Sequence, residues 1–326
     1  MPAPPPRSPR FVQLQAVADA DTREEILRGL QAPAASIAPK FFYDALGSHL
    51  FAAITELEEY YPTRTEAAIM NAALPEIARA LGAAPASLVD LGAGNCRKAA
   101  RMFPVLAPAR YVALDISVEF LRESLAALQR EFPAIDMLGV GVDFTRRLAL
   151  PDDVPRAGRL LFYPGSSIGN FAPQDAVRLL AQMRAALDAT GALLIGADLV
   201  KDAATLEAAY DDALGVTAAF NRNVLRHIGR LAGTDFALAE WRHVARFDRD
   251  ESRIEMHLEA RRALTVHWTG GARRFTAGER IHTENSYKYT PESFERLLAR
   301  AGLRLDRAWY DARQWFGVFL ARPASG

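Results

Sequence analysis

The sequence predicts an α/β fold, a mostly parallel sheet with helices on both faces, joined to a second α+β domain. Three observations carry this. Between residues 87 and 198, short apolar runs alternate with helix-patterned segments, the signature of strand–helix–strand units. The first run, Ser87 to Leu91, meets a glycine turn at Gly92-Ala93-Gly94. Residues 201–285 then break the alternation before a final helix and two closing strand-like runs.

Residues 1–10 are proline-rich and expected to be disordered. Asp21 to Leu30 reads as a short helix with Thr22 as its cap. Lys40 to Tyr61 reads as one helix, with Phe42, Leu46, Leu50, Phe51 and Ile54 on a common face and Pro62 as its stop. A second, alanine-rich helix follows from Thr65 to Leu81. Strands are expected at 87–91, 111–115, 135–140, 159–163 and 191–198, with helices near 96–102, 118–130 and 174–186 between them. A long helical stretch over 203–231, interrupted near Gly215, precedes antiparallel strands at 236–248, 252–259 and 262–268. The chain closes with a helix over 292–300 and strands over 304–310 and 315–321. Residues 62–200 with 286–326 are therefore assigned to the sheet domain, and 11–61 with 201–285 to the second.

Composition excludes several classes of function. The 326 residues carry 39 basic and 39 acidic side chains, so no general positive field would draw nucleic acid or an anionic membrane. Apolar runs are too short to span a bilayer, and no signal-peptide pattern opens the chain. The single cysteine, Cys96, cannot form an internal disulfide and suits a reducing cytoplasm. It reads as a small residue near a helix start. The six histidines show no i,i+4 pair and no cysteine companions, so no metal site is expected.

The glycine turn carries the first functional signal. A buried strand running into glycines lets a ligand approach the backbone closely. About 20 residues on, a second run ends at Asp115, where a carboxylate can accept hydrogen bonds from both hydroxyls of a ribose. An adenosine-containing cofactor is implied. Arg97 stands where a dinucleotide fingerprint needs its third glycine, and the bulky Lys98 follows. A cofactor without a pyrophosphate, S-adenosylmethionine, fits better than a nicotinamide dinucleotide. The assigned cofactor residues are Gly92, Gly94, Lys98, Asp115, Asp143 and Phe144, the last two flanking the adenine. The fold expected is that of class I S-adenosylmethionine-dependent methyltransferases, a Rossmann-like sheet that closes with an antiparallel pair.

Seven segments, in order along the chain, are more specific: 42–48 (FYDALGS), 60–66 (YYPTRTE), 164–171 (PGSSIGNF), 198–202 (DLVKD), 210–221 (YDDALGVTAAFN), 254–258 (IEMHL) and 283–288 (TENSYK). Together they resemble the ergothioneine-pathway histidine Nα-methyltransferases, whose members transfer three methyl groups from S-adenosylmethionine to the α-amine of free L-histidine, forming hercynine. The resemblance implies that Tyr60, Asn170 and Tyr210 hold the amino acid's carboxylate end. It places Gly165 and Tyr43 near the amine, Tyr43 being the catalytic candidate. Glu284 and Ser286 would meet the two imidazole nitrogens, with Met256 beside the ring.

The ring-reading pair also makes chemical sense by itself. Neutral imidazole has one donor and one acceptor nitrogen. Residues i and i+2 of an extended segment face the same way, so Glu284 and Ser286 can address one ring. An N-methyltransferase of another, aromatic amino acid is the alternative within the same chemistry. A silent S-adenosylmethionine-binding module and a nicotinamide dehydrogenase are alternatives outside it.

Overall fold

A computed structural model of the chain describes residues 7–14 and 19–324. In chain order it contains β1 (Arg10–Gln13), α1 (Asp19–Gln31), α2 (Ala45–Ile54), α3 (Tyr61–Leu81), β2 (Ser87–Leu91), α4 (Arg97–Ala100), α5 (Phe103–Leu106), β3 (Arg110–Asp115) and α6 (Val118–Glu131). Then follow β4 (Asp136–Gly141), β5 (Arg159–Tyr163), α7 (Pro173–Ala185), β6 (Ala192–Asp198), α8 (Ala203–Ala208) and α9 (Val216–Ala232). The remainder is β7 (Trp241–Asp248), β8 (Arg253–Ala260), β9 (Leu264–Trp268), β10 (Gly271–Phe275), β11 (Arg280–Tyr287), α10 (Pro291–Arg300), β12 (Leu303–Tyr310) and β13 (Phe316–Pro323). These elements form two compact units.

The first unit comprises residues 62–200, 289–324 and the strand β1. Its eight-stranded sheet has the order β1-β4-β3-β2-β5-β6-β13-β12. The strands are parallel from β1 to β6, whereas β13 runs antiparallel to both β6 and β12. Every residue of β2, β5 and β6 is buried, as expected of parallel strands covered on both faces. Leu179, Leu180 and Met183 of α7 with Phe294 and Leu298 of α10 join one core cluster. Ile69, Ile77, Leu121 and Leu125, from α3 and α6, join the other. Each such side chain contributes roughly 1.5–3 kcal/mol by leaving water. This is the class I methyltransferase arrangement.

The second unit comprises residues 19–61 and 201–288. Its antiparallel sheet has the order β11-β8-β7, and β9 and β10 form a separate hairpin. Helix α9 buries Phe220, Val224, Leu225 and Ile228, and Phe220 stacks on Phe42 with ring centroids 4.6 Å apart. A bulge between His282 and Glu284 switches the parity of β11. Beyond it Glu284 pairs with Met256 and Ser286 with Ile254, so both polar residues share the face of those buried apolar partners.

Several expectations differ from the structure. The helix read over 40–61 is a short 3-10 turn (Pro39–Phe42) followed by α2, because Asp44 caps the new helix by accepting from the Gly47 amide at 2.8 Å. Pro62 does not stop a helix. It sits in the first turn of α3, where a missing N–H costs nothing. Thr22 lies inside α1 rather than at its cap. Strand β10 was unforeseen, and residues 236–240 precede β7 instead of belonging to it.

The unit boundaries also differ: residues 11–14 belong with the sheet unit and 286–288 with the second. Of the stretch expected to be disordered, residues 1–6 lie outside the described residues, while Arg10 opens β1 and pairs with β4.

Candidate functional site

The predicted residues fall into two groups, one in each unit. In the first unit the glycine turn follows β2. Gly92 and Gly94 have φ of +75° and +52°, in the left-handed region. A Cβ on Gly94 would project into open space. The amides of Gly92 and Ala93 donate to the Leu114 carbonyl at 2.9 and 3.0 Å, which ties the turn to the end of β3. There Asp115 accepts from the Gly94 amide at 2.9 Å on one oxygen and from the Ser117 amide at 2.8 Å on the other. Burial raises the Asp115 pKa, and the backbone amides oppose that rise. Each oxygen keeps acceptor capacity for a further hydroxyl.

After β4, Asp143 is buried and accepts from the Thr145 amide at 3.2 Å. The Phe144 ring stands edge-on to Tyr163 at 5.9 Å and lies 3.9 Å from where a Cβ on Gly92 would be. After β5, Gly165 takes φ +78° and opens the 3-10 turn Ser167–Asn170, where Asn170 is half-buried. The predicted cofactor residues are thus gathered at the carboxyl ends of β2, β3 and β4.

Glu66 binds this region together, a role that its place on α3 did not announce. Its buried carboxylate accepts from Lys98 Nζ and from the Gly165 amide, both at 2.7 Å. Gly196 makes the room: a Cβ there would sit 2.2 Å from Glu66 Oε1. Beneath the turn, burial raises the Asp90 pKa to about 7, against the hydrogen bond donated by the Tyr111 hydroxyl at 2.7 Å. Burial pushes the Cys96 thiol up to about 12, which fits an inert packing residue.

In the second unit, aromatic rings link three of the predicted tyrosines. Tyr43 meets Phe51 at 5.8 Å, Phe51 meets Tyr60 at 6.2 Å, and Tyr60 meets Tyr210 at 6.2 Å. Phe220 closes the group, 5.9 Å from both Tyr43 and Phe51. The Tyr210 hydroxyl donates to Ser286 Oγ at 2.7 Å, so a residue expected at the carboxylate is bonded to one expected at the ring.

His243 fixes the backbone of Tyr210. The Asn221 side-chain amide donates to its Nδ1 at 2.8 Å, so the ring proton resides on Nε2 and is donated to the Tyr210 carbonyl at 2.7 Å. Burial lowers the His243 pKa and keeps the ring neutral.

Glu284 is buried, and its carboxyl makes no hydrogen bond among the described residues. Burial raises its pKa to about 8, with Lys288 pulling the other way. Met256, opposite it on β8, is 2 % exposed. A buried acid with no hydrogen bond from the described residues, flanked by a hydroxyl and an apolar side chain, has the chemistry to meet a polar ring.

Among the described residues, no group of three or more His, Cys, Asp or Glu is placed to hold a metal ion, and no helix is long and apolar enough to cross a membrane.

Residues 22–323 match the pattern of a protein family described as histidine-specific methyltransferase, SAM-dependent. The chain belongs to that family. Among its relatives, the histidine N-alpha-methyltransferase of Mycolicibacterium smegmatis is 42% identical over 306 residues, 92% of this chain and 94% of that protein. Ergothioneine biosynthesis protein 1 of Neurospora crassa is 32% identical over 86% of this chain, which corresponds to 32% of that longer protein. The CcbJ methyltransferase of Streptomyces caelestis is a solved structure that aligns with 78% of this chain and 90% of its own, at 15% identity and a TM-score of 0.45.

S-adenosylmethionine is the methyl donor of this family, and the first unit fits it. The turn is open at Gly94, both Asp115 oxygens keep acceptor capacity, and the Phe144 ring lies near the turn.

Proposed function

We propose that this protein trimethylates the α-amine of free L-histidine to hercynine, a step of ergothioneine biosynthesis, in the cytoplasm. The observation that carries the substrate choice is Glu284: a buried carboxyl with no hydrogen bond from the described residues, sharing a sheet face with Ser286 and Met256. A ring that donates from one nitrogen and accepts at the other satisfies this pair. Phenylalanine would leave the Glu284 carboxyl and the Ser286 proton without a partner, at a cost of roughly 1–3 kcal/mol each.

S-adenosylmethionine supplies an electrophilic methyl group on a sulfonium, so the chain's own task is alignment and a neutral nucleophile. In this reading Gly92, Gly94, Lys98, Asp115, Asp143 and Phe144 hold the cofactor. Tyr60, Asn170 and Tyr210 hold the carboxylate end of the amino acid, with Gly165 near the amine. Tyr43 orients the amine lone pair and passes the released proton to water. An α-amine is protonated at neutral pH, its pKa being about 8 or higher, so the rate rises with pH until the bound amine is neutral. The third transfer leaves no proton to lose and ends the reaction.

The test compares kcat/KM for histidine, phenylalanine and tryptophan in the parent and in Glu284→Ala. The variant is expected to lose at least about tenfold of the preference for histidine while binding S-adenosylhomocysteine as the parent does. An unchanged preference overturns the assignment of the ring.

A further inference from the structure

Lys288 lies one residue past the end of β11, and its side chain is buried, 4 % of the residue remaining exposed. Its backbone is clamped to the β7–β8 turn: the Lys288 amide donates to the Ser252 carbonyl at 2.8 Å, and the Ser252 hydroxyl donates to the Lys288 carbonyl at 3.0 Å. The clamped ammonium donates to Ser286 Oγ at 2.7 Å and to the Tyr210 hydroxyl oxygen at 3.2 Å, and it sits 4.8 Å from the Tyr210 ring centroid. No role in substrate reading has so far been attached to it.

The three bonds together set which way the hydroxyl protons point: Lys288 can only donate, and the bond between the two hydroxyls runs from Tyr210 to Ser286. An ammonium has donors and no acceptor, whereas a hydroxyl has one proton and two lone pairs. Lys288 fills one lone pair of Ser286, and the Tyr210 hydroxyl, itself accepting from Lys288, gives its proton to the other. The Ser286 oxygen then has no lone pair left to offer. What it can present to a ligand is its proton.

We propose that Lys288 is the positioning residue that sets the polarity of the ring-reading pair, making Ser286 a hydrogen-bond donor and Glu284 an acceptor. The inference rests on the reading of Glu284 and Ser286 as the pair that meets the substrate ring. A fixed donor beside a fixed acceptor matches the bare nitrogen and the N–H of a neutral imidazole. It opposes rings that carry only a donor, such as indole, and rings that carry neither group. The positive charge of Lys288 also opposes the effect of burial on Glu284, and in either ionisation state the Glu284 carboxyl keeps an oxygen that can accept from an N–H.

The test uses the full-length protein with Lys288→Met and Lys288→Arg. Binding of L-histidine, tryptophan and β-(2-thiazolyl)alanine, whose ring accepts but does not donate, is measured by calorimetry with S-adenosylhomocysteine present. Steady-state kinetics with histidine run alongside. Lys288→Met is expected to raise the histidine KM about tenfold or more, with a smaller fall in kcat, and to narrow the preference for histidine over tryptophan by a similar factor. Affinity for the thiazole should fall too, because Ser286 no longer presents its proton reliably. Lys288→Arg, another donor with no acceptor, should recover part of the selectivity, and this recovery separates polarity from mere packing. S-adenosylhomocysteine affinity serves as the check that both variants fold. If Lys288→Met keeps the parent's selectivity, or if Lys288→Arg is no better than Lys288→Met, the proposal is overturned. If instead the parent binds histidine no better than tryptophan, the reading of the substrate fails, and that outcome is visible before any variant is compared.

Discussion

Glu66 Oε1 accepts a hydrogen bond from the Gly165 amide at 2.7 Å, joining a helix residue to a loop 99 positions later in the chain. The other oxygen takes the Lys98 ammonium, so one buried carboxylate fixes a residue proposed for the cofactor and a residue proposed for the substrate. Glu66→Ala leaves a half-buried amide without an acceptor and should cost about 2 kcal/mol of stability. Glu66→Gln keeps an acceptor for Gly165 and should cost clearly less. Chemical denaturation of the two variants checks this order, and equal losses would remove the role of the Gly165 bond.

Asp115→Ala removes the acceptor proposed for the ribose, along with the one that holds the amides of Gly94 and Ser117. Affinity for S-adenosylmethionine should drop by about 1–3 kcal/mol, the scale of lost charge-assisted hydrogen bonds. Calorimetric titration measures it. Unchanged affinity would place the ribose elsewhere.

The raised pKa of Glu284 gives a pH signature. In the unfolded chain the group ionises near 4.5, and in the folded protein burial holds it neutral up to about 8. Below the lower value both states are protonated and the group costs nothing. Between the two values only the unfolded chain ionises, so stability is lost as pH rises, and the whole loss is present above the upper one. Glu284→Gln removes this cost. It should be more stable than the parent at about pH 8.5, by up to a few kcal/mol, with the advantage fading as the pH falls toward the unfolded value. Denaturant midpoints at the two ends of this range decide the matter. A gain independent of pH would mean that Glu284 is ionised in the folded protein.

The parallel sheet was legible because its signals are local. Acid-ended apolar runs, a glycine turn and helix-patterned stretches place β2 to β6 and the Asp115 strand end without any long-range information. β1 was not, since four residues become a strand only through their partner. The Phe11 ring occupies the space over Gly139, where a Cβ would lie 2.3 Å from it. Strand β10 was missed because Arg273 and Arg274 hide its character, and Arg273 is held instead by the carbonyls of Leu30 and Ala32.

The site shows the same division. Glu284 and Ser286 entered through the family resemblance, and their period-two spacing is compatible with one shared face. The bulge that turns them onto the face of Met256 was not legible, and it depends on pairing with β8. Glu66, His243 and Lys288 act through partners distant in sequence or through hydrogen-bond direction, which no local pattern records.

The central claim is the identity of the methyl acceptor, and one measurement addresses it directly. The full-length protein is incubated with S-adenosylmethionine and an equimolar mixture of the twenty amino acids, and products are followed in time by mass spectrometry with fragmentation to locate the methyl groups. Histidine should be consumed first, passing through mono- and dimethylated forms to a product with three methyl groups on the α-nitrogen, and then stop. Methyl groups on the imidazole ring, on another amino acid in preference to histidine, or on no amino acid at all would contradict the account.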